Sequence, residues 1–301
     1  MRVHRAVLQA WLKGSQKIYD EEPFEWPFSV KFDMVVPLMI KKTDLKRSLK
    51  WAIVTGASSG IGRETALQLA EAGYSLYLIS RRADRLKKLH SEIQKNYKVD
   101  SKVIAIDVQN KNAINQFIKA ESVGLAHVEI LVNNAGLAMG TAKAQDADIA
   151  DWEVMIDTNL KGLLYLTRGL LPFLVKKKSG HIVNLGSVAG RWVYPGGSVY
   201  CATKYAVRAF TEGLRMDLMG TNIRVTNIEP GMVNTEFSLV RFKDQKIADS
   251  QYDGMTALSA KDIAESILWC VNRPGHVNIQ ELVIFPTDQA AVGPSYTQRK
   301  K

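Results

Sequence analysis

The sequence predicts an α/β fold, a doubly wound parallel sheet in a single domain, and three observations predict it. From Trp51 onward, short apolar runs of strand length alternate with longer helix-like segments. Repeated units of this kind build a parallel sheet. The strand-like runs are continuously apolar, as expected where helices cover both faces of a sheet. No linker rich in Pro, Gly or Ser and no solenoid repeat divides the chain.

The predicted elements follow one another in order along the chain. The strand candidates are short apolar runs at 51–55, 75–80, 102–106, 129–132, 180–186, 223–228 and 281–285. The helix candidates lie between them, near 60–73, 83–96, 110–124, 150–177, 199–219 and 260–272. Residues 50–301 therefore form the predicted domain.

Residues 1–49 do not continue this pattern. Lys13 and Lys17 interrupt the apolar stretch that a signal peptide would need, and the acidic, aromatic run Asp20–Trp26 argues against a transit peptide. The longest uncharged run next to the domain, Met34–Ile40, has seven residues and contains a proline, far short of a membrane span. Two interpretations stay open: an N-terminal arm packed on the domain, or a start codon placed too far upstream.

Composition and charge argue against several classes of protein. The chain has 301 residues with 46% hydrophobic content, enough to bury a large core. The two cysteines, Cys201 and Cys270, indicate no disulfide framework, so a reducing, cytoplasmic location is expected. The five histidines have no metal-ligand spacing, and no metal is predicted. The net charge is +10, but no motif interleaves basic and aromatic residues as a nucleic-acid surface would. We therefore expect neither a nucleic-acid nor a membrane partner.

A glycine-rich turn, Thr55–Gly62, lies between the first strand and the first helix. Glycines let backbone N–H groups approach an anion, and the helix N-terminus favours negative charge. We therefore predict a phosphate site formed by Gly56, Ser58, Ser59, Gly60, Ile61 and Gly62. Many strand–helix turns are glycine-rich for steric reasons alone, so this prediction depends on the rest of the chain. With a nucleotide at this turn, the fold is of the Rossmann type.

The end of the second strand predicts the cofactor. An acidic residue at this place in such sheets binds the ribose 2′-hydroxyl of NAD. Here Ser80-Arg81-Arg82 occupies it. Guanidinium groups are the best side-chain match to phosphate geometry. We therefore expect Arg81 and Arg82 to bind the 2′-phosphate of NADP; the alternative is a solvated basic loop.

Two further loops follow strands at the same edge of the sheet. Asp107 and Val108 follow the third strand, where the carboxylate is expected at the adenine amino group. Asn134, Ala135 and Gly136 follow the fourth strand and are expected near the nicotinamide ribose. Ligands bind open α/β sheets at these carboxyl ends of strands.

Tyr200 and Lys204 are the candidates for acid–base chemistry. They are four residues apart at the start of a predicted helix, so they share one helix face. A free phenol has a pKa near ~10, and a nearby ammonium is expected to lower this pKa toward the range of efficient general acid–base catalysis. Ser187, after the fifth strand, is expected to hold the substrate oxygen. A Tyr–Lys pair at this spacing also occurs by chance on many helices.

Together these motifs resemble the short-chain dehydrogenase/reductases. The residues that carry the resemblance stand in the order and spacing of that family over about residues 50 to 290: Thr55–Gly62, Asn133–Gly136, Asn159, Ser187, Tyr200, Lys204 and Pro230-Gly231. The resemblance implies a catalytic tetrad of Asn159, Ser187, Tyr200 and Lys204, in which Asn159 holds a water linked to Lys204.

The family resemblance also implies cofactor contacts and an assembly. Tyr200 and Lys204 would contact the cofactor, Lys204 at the nicotinamide ribose. Pro230, Gly231, Val233 and Thr235 would close over the nicotinamide carboxamide. The long helices at 150–177 and 199–219 would form the intersubunit bundle of a homotetramer.

A narrower resemblance is to the NADP-dependent 3-hydroxy acid dehydrogenases. It is carried by the strings Asn133–Gly140, Ile228–Val233, Thr235–Phe242 and Ile284–Thr287. It implies hydride transfer between NADP and the 3-position of a small 3-hydroxy acid, such as serine, allo-threonine or the pair 3-hydroxypropionate and malonic semialdehyde.

The acid group of such a substrate needs a cationic partner, for which Arg191 and Arg241 are the candidates. The alternative is that Arg191 faces solvent and Arg241 only anchors the segment that covers the site. Two alternatives to this function stay open. One is a short-chain reductase acting on a ketone, a steroid or a 3-oxoacyl thioester. The other is a NADP-sensing protein without catalysis.

Overall fold

The computed structural model describes residues 50–292 and confirms the predicted α/β fold. One parallel sheet contains seven strands: β1 Trp51–Thr55, β2 Ser75–Ser80, β3 Ser101–Ala105, β4 Val128–Asn133, β5 Gly180–Leu185, β6 Ile223–Pro230 and β9 Glu281–Ile284. The strands β7 Val233–Asn234 and β8 Leu258–Ser259 pair separately. The predictions made for residues 1–49 lie outside the described residues.

Helices connect the strands. They are α1 Gly60–Glu71, α2 Ala83–Asn96, α3 Lys111–Ala120, α4 Ser122–Leu125, α5 Ile149–Ile156, α6 Leu163–Lys177, α7 Ser198–Asp217, α8 Phe237–Phe242, α9 Gln245–Ser250 and α10 Ala260–Val271. A π-helical turn, Asp157–Gly162, joins α5 to α6.

Alternate residues of each central strand enter two different cores. In β1, Ala52 and Val54 pack in a cluster with residues of α1, α2 and α10. Trp51 and Ile53 pack in a second cluster with residues of α3, α6 and α7. All five residues of β1 are buried. Because helices cover both faces, β1 is apolar from Trp51 to Val54 without the alternation of a half-exposed strand, as the sequence indicates.

The strand order places a crevice at the centre of the sheet. The order is β3-β2-β1-β4-β5-β6-β9, so successive connections run outward in one direction from β1 and in the other from β4. At this switch point the loops after neighbouring strands separate, and ligands of open α/β sheets bind there. The glycine-rich turn after β1 and the loop after β4 therefore border one crevice.

Three local features differ from the prediction. The predicted helix 150–177 is interrupted by the π-helical turn, in which Gly162 packs so closely that a Cβ would lie 2.8 Å from Val108 Cγ2. The predicted helix 110–124 is divided at Glu121 into α3 and α4. The helices α8 and α9 were not predicted, since six residues each are too few for a clear helical period.

Two further properties concern the part of the chain that the structure describes. No helix between residues 50 and 292 is long and apolar enough to cross a bilayer. Within the same range, no group of three His, Cys, Asp or Glu side chains is arranged to hold a metal ion.

Candidate active site

A cleft of about 310 Å³ opens at the carboxyl ends of the central strands. The loops after β1 through β6 all contribute to its walls. Most residues predicted from the sequence line it: Gly56, Ser58, Ser59, Gly60, Ile61, Arg81, Arg82, Asp107, Val108, Asn134, Ala135, Gly136, Ser187, Tyr200, Lys204, Pro230, Gly231, Val233 and Thr235. Gly62, Asn159, Arg191 and Arg241 are not among its lining residues.

The glycine-rich turn is held in a conformation that favours glycine. Gly56 and Gly60 have φ angles of +65° and +52°, in the left-handed region. A Cβ on Gly62 would lie 2.4 Å from the Gly56 carbonyl oxygen, so only glycine fits at this position of the turn. Asn134 Nδ2 donates to the Thr55 carbonyl at 2.9 Å and fixes the turn against the end of β4. The turn thus presents the N-terminus of α1 to the cleft, where an anion is favoured.

The two arginines after β2 border the same end of the cleft. Arg82 donates from Nε to Ser58 Oγ at 3.0 Å and from Nη2 to Ser59 Oγ at 2.5 Å. Arg81 Nη1 lies 3.6 Å from Asp107 Oδ2. A cation that reaches the hydroxyls of the glycine-rich turn fits a cofactor that carries an additional phosphate. The residues at this end therefore fit NADP.

Tyr200 and Lys204 are both buried on the first turns of α7. Lys204 Nζ donates to the Leu185 carbonyl at 2.7 Å and lies 5.9 Å from the centre of the Tyr200 ring. Burial lowers the pKa of Lys204 to about 8. Ser187 Oγ accepts from the Ala189 amide at 3.1 Å. Tyr200, Lys204 and Ser187 therefore meet in one largely buried part of the cleft.

The expected lowering of the Tyr200 pKa is wrong for this structure. Burial raises this pKa above its ordinary value, and the nearby Tyr194 adds to the rise, although the Ser187 hydrogen bond and the Arg241 charge oppose it. Burial disfavours the Lys204 cation as well, which weakens the stabilisation that it can give to a phenolate. Its amine also donates to a backbone carbonyl rather than to the phenol oxygen. Helical spacing alone did not reveal this burial.

Asn159 lies behind the cleft in the π-helical turn. Its Oδ1 accepts from the Leu137 amide and its Nδ2 donates to the Leu137 carbonyl, both at 2.8 Å. A Cβ on Gly136 would lie 3.3 Å from Asn159 Oδ1 and 3.6 Å from Lys204 Nζ. Asn159 and Lys204 therefore approach the same glycine from two helices. π-Helical turns are frequent at functional sites.

The two candidate arginines for a substrate acid group have different surroundings. Arg191 is held outside the cleft lining, because its guanidinium forms short ion pairs with Glu229 and Glu281. Arg241 donates from Nε to the Gly140 carbonyl and from Nη1 to Tyr194 Oη, both at 3.1 Å. Its charge lowers the pKa of the Tyr200 phenol, which places it near that group. Of the two, only Arg241 lies near the acid–base pair.

A short segment that we call the lid segment, residues 235–242, covers one side of the cleft. Thr235 contacts the glycine turn, since a Cβ on Gly60 would lie 3.3 Å from its Cβ. The Phe237 ring packs edge-on against the Tyr200 ring with 5.8 Å between centres. Glu236 pairs with Arg82 Nη1 at 2.8 Å. Glu236 and Phe237 were not predicted as site residues, because only the folded chain brings them to the cleft.

Comparison with known families decides the class of protein. The sequence model of the short chain dehydrogenase family matches residues 50–246. The chain belongs to this family. The resemblance inferred from the glycine turn, Ser187, Tyr200 and Lys204 is thereby confirmed.

Several members of the short chain dehydrogenase family are similar over most of the domain. Sulfoacetaldehyde reductase 2 of Chromohalobacter salexigens is 47% identical over 240 residues, covering 79% of this chain and 94% of the relative. The NADP-dependent 3-hydroxy acid dehydrogenase YdfG of Salmonella typhi is 45% identical, covering 80% and 96%. A serine dehydrogenase solved in a closed form with NADP+ is 43% identical, with a TM-score of 0.76 over 80% of this chain and 97% of that structure.

Proposed function

We propose that the chain is an NADP-dependent oxidoreductase that transfers a hydride between the nicotinamide and the 3-position of a small 3-hydroxy acid. The observation that carries this proposal is the convergence of Ser187, Tyr200 and Lys204 in a cleft that the glycine-rich turn also lines. The names of the relatives, a 3-hydroxy acid dehydrogenase and a serine dehydrogenase bound to NADP+, support the cofactor and the substrate class.

Each side chain has a proposed role. When bound, the nicotinamide supplies or accepts the hydride at the substrate carbon. Tyr200 moves a proton to or from the substrate oxygen, and Ser187 donates a hydrogen bond to that oxygen. Lys204 supplies positive charge beside the phenol, and Asn159 holds a water that links Lys204 to solvent. General acid–base catalysis of this kind contributes about 10²- to 10⁴-fold to a rate.

The remaining proposed contacts belong to the cofactor. Arg81 and Arg82 bind the 2′-phosphate, and Asp107 binds the adenine amino group. Asn134, Ala135 and Gly136 border the nicotinamide ribose. Pro230, Gly231, Val233 and Thr235 close over the carboxamide.

We also propose that the enzyme is a cytoplasmic homotetramer. Three exposed apolar side chains support contact between copies at these helices: Val175 at the end of α6, Met216 in the last turn of α7, and Met219 in the turn that follows α7. Light scattering of the purified protein tests the assembly: a mass near four times 33.5 kDa supports a tetramer, and a monomer mass would exclude it.

A substrate assay tests the function. Purified protein is mixed with L-serine, 3-hydroxypropionate or a neutral secondary alcohol, each with NADP+ and with NAD+, and cofactor reduction is followed by absorbance. We expect the acids to reduce NADP+ much faster than the neutral alcohol does. Turnover of the neutral alcohol alone would favour a ketone, steroid or 3-oxoacyl thioester reductase. No turnover with tight NADPH binding would favour a NADP sensor.

A sulfonate substrate is a second candidate. The 47% identical relative is a sulfoacetaldehyde reductase, and a guanidinium binds a sulfonate as it binds a carboxylate. The same assay therefore includes 2-hydroxyethanesulfonate, the alcohol that corresponds to sulfoacetaldehyde. Turnover of this compound above that of the carboxylic acids would change the preferred acid group and leave the reaction unchanged.

Arg241 is the proposed partner of the substrate acid group. We expect Arg241→Gln to raise KM for 3-hydroxypropionate by about 30-fold, because a charge-assisted hydrogen bond contributes about 2 kcal/mol. Glutamine can still donate to the Gly140 carbonyl, so the lid segment keeps one of its contacts. Steady-state kinetics of the wild type and the variant measure this change.

Two comparisons control the Arg241 experiment. The KM of the same variant for a neutral carbonyl substrate should change less than about threefold, since that substrate has no acid group to lose. In Arg191→Gln, acidic and neutral substrates should change by the same factor, because Arg191 pairs with Glu229 and Glu281. An equal effect of Arg241→Gln on both substrate types would contradict the assignment.

A further inference from the structure

We propose that Glu236 determines cofactor affinity by competing with the 2′-phosphate of NADP for Arg82. The inference deepens the proposed function and rests on its placement of the 2′-phosphate at Arg82. In this arrangement the lid segment carries its own anion, which occupies the cationic site until the cofactor phosphate displaces it.

The contacts of Arg82 define the competition. All three guanidinium nitrogens donate hydrogen bonds: Nε to Ser58, Nη2 to Ser59 and Nη1 to Glu236 Oε2 at 2.8 Å. The serine hydroxyls can rotate and donate to a phosphate, since a hydroxyl is both donor and acceptor. The Glu236 carboxylate can only accept and carries the same sign of charge as the phosphate. The serines therefore adapt to the ligand, whereas the carboxylate opposes it.

Arg85 gives the carboxylate another partner. Its Nη1 lies 2.6 Å from Glu236 Oε1 and 2.8 Å from Oε2. Glu236 can therefore leave Arg82, which precedes α2, and keep an ion pair with Arg85 in the first turn of α2. The Glu236 side chain is 40% exposed, so water also solvates the displaced carboxylate. The exchange thus leaves no buried unpaired charge, which would be costly.

Glu236 is charged at neutral pH. Although partial burial raises its pKa, the hydrogen bonds from Arg82 and Arg85 outweigh that effect and hold the pKa below its ordinary value. A 2′-phosphate carries about −1.5 to −2 charges at pH 7, as other phosphomonoesters do. The Glu236 carboxylate and the 2′-phosphate repel each other when both bind the Arg82 guanidinium. NAD has no 2′-phosphate, so it does not meet this repulsion.

Removal of the carboxylate charge tests the inference. We expect Glu236→Gln to bind NADPH about tenfold more tightly than the wild type, a difference of about 1.4 kcal/mol. Exposure of the pair to solvent screens the charges and keeps the effect moderate. NADH should bind within about twofold of the wild type, because it offers no phosphate to Arg82. Calorimetric titration of the full chain measures both affinities.

Glu92→Gln is the matched control. Glu92 also pairs with an arginine, Arg63, at 2.6 Å and has a similar exposure of 35%, but it does not line the cleft. Its NADPH and NADH affinities should stay within about twofold of the wild type. Glu236→Ala should repeat the gain of Glu236→Gln and excludes an effect peculiar to glutamine.

The outcomes separate this inference from the proposed function. If the wild type binds NADPH and Glu236→Gln binds it equally or more weakly, Glu236 orients Arg82 instead of competing, and the inference is overturned. An equal gain for NADH and NADPH would also overturn it, since the effect would not depend on the phosphate. A wild type that binds no NADPH would overturn the proposed function itself.

Discussion

Replacement of Tyr200 by phenylalanine is expected to lower kcat about 10³-fold while NADPH binding stays within about threefold of the wild type. The phenol is the proposed proton donor to the substrate oxygen, and phenylalanine keeps the ring but has no transferable proton. The edge-on packing of Phe237 on this ring, 5.8 Å between centres, requires no hydroxyl. The lid segment should therefore keep its packing against residue 200. Steady-state rates and a separate NADPH titration measure the two quantities.

Tyr205→Phe is the matched control for this experiment. Tyr205 lies on the same helix, but its hydroxyl donates to the Arg191 carbonyl, outside the cleft lining. Loss of that hydroxyl should leave kcat unchanged within about twofold. Tyr194→Phe examines an alternative proton donor, because the Tyr194 hydroxyl accepts from Arg241, the proposed partner of the substrate acid group. If Tyr194→Phe lost as much activity as expected for Tyr200→Phe, and Tyr200→Phe kept most of it, the proton donor would be Tyr194.

The fold was predictable because its signals are local. The strands 51–55 and 75–80 have the predicted bounds, since each is a continuous apolar run between turn residues. The glycine turn could be placed because it joins such a strand to an apolar helix. The π-helical turn at Asp157–Gly162 could not be predicted. Its geometry depends on contacts with residues far away in the sequence, such as the close approach of Gly162 to Val108.

The candidate site was predictable where one strand end or one helix face supplies the residues. Tyr200 and Lys204 share a helix face, and Arg81 and Arg82 follow one strand. Pairs that join distant segments were not predictable. Arg82 meets Glu236 across 154 residues, and Arg191 meets Glu281 across 90. Opposite charges in such pairs decide which arginines remain available to a ligand, and only the folded sheet brings them together.

Burial also had consequences that spacing did not reveal. The sequence suggested that the ammonium of Lys204 lowers the Tyr200 pKa. In the folded chain, burial raises that pKa and lowers the pKa of Lys204 to about 8. Lys204 remains protonated at pH 7, and its charge favours the phenolate there. The phenol is therefore stabilised as a phenolate only while the lysine keeps its proton.

Lys204→Met is expected to lower kcat about 100-fold, because it removes this charge and keeps a side chain of similar length. A unit charge at the observed 5.9 Å from the ring centre contributes about 3 kcal/mol at an effective dielectric constant of 20. Loss of the cation should also raise the pKa of the phenol. In the oxidation direction, which requires the phenolate as base, the rising limb of the pH–rate profile should move to higher pH by at least about one unit.

Thermal unfolding controls for damage to the fold in Lys204→Met. Burial disfavours the lysine cation, as the lowered pKa of about 8 indicates, so a buried methionine relieves that penalty below pH 8. The Leu185 carbonyl loses its donor at 2.7 Å, which offsets part of this gain. We therefore expect Tm to stay within a few degrees of the wild type. A normal Tm with unchanged kcat and an unmoved pH limb would show that Lys204 supports the helix and takes no part in proton transfer.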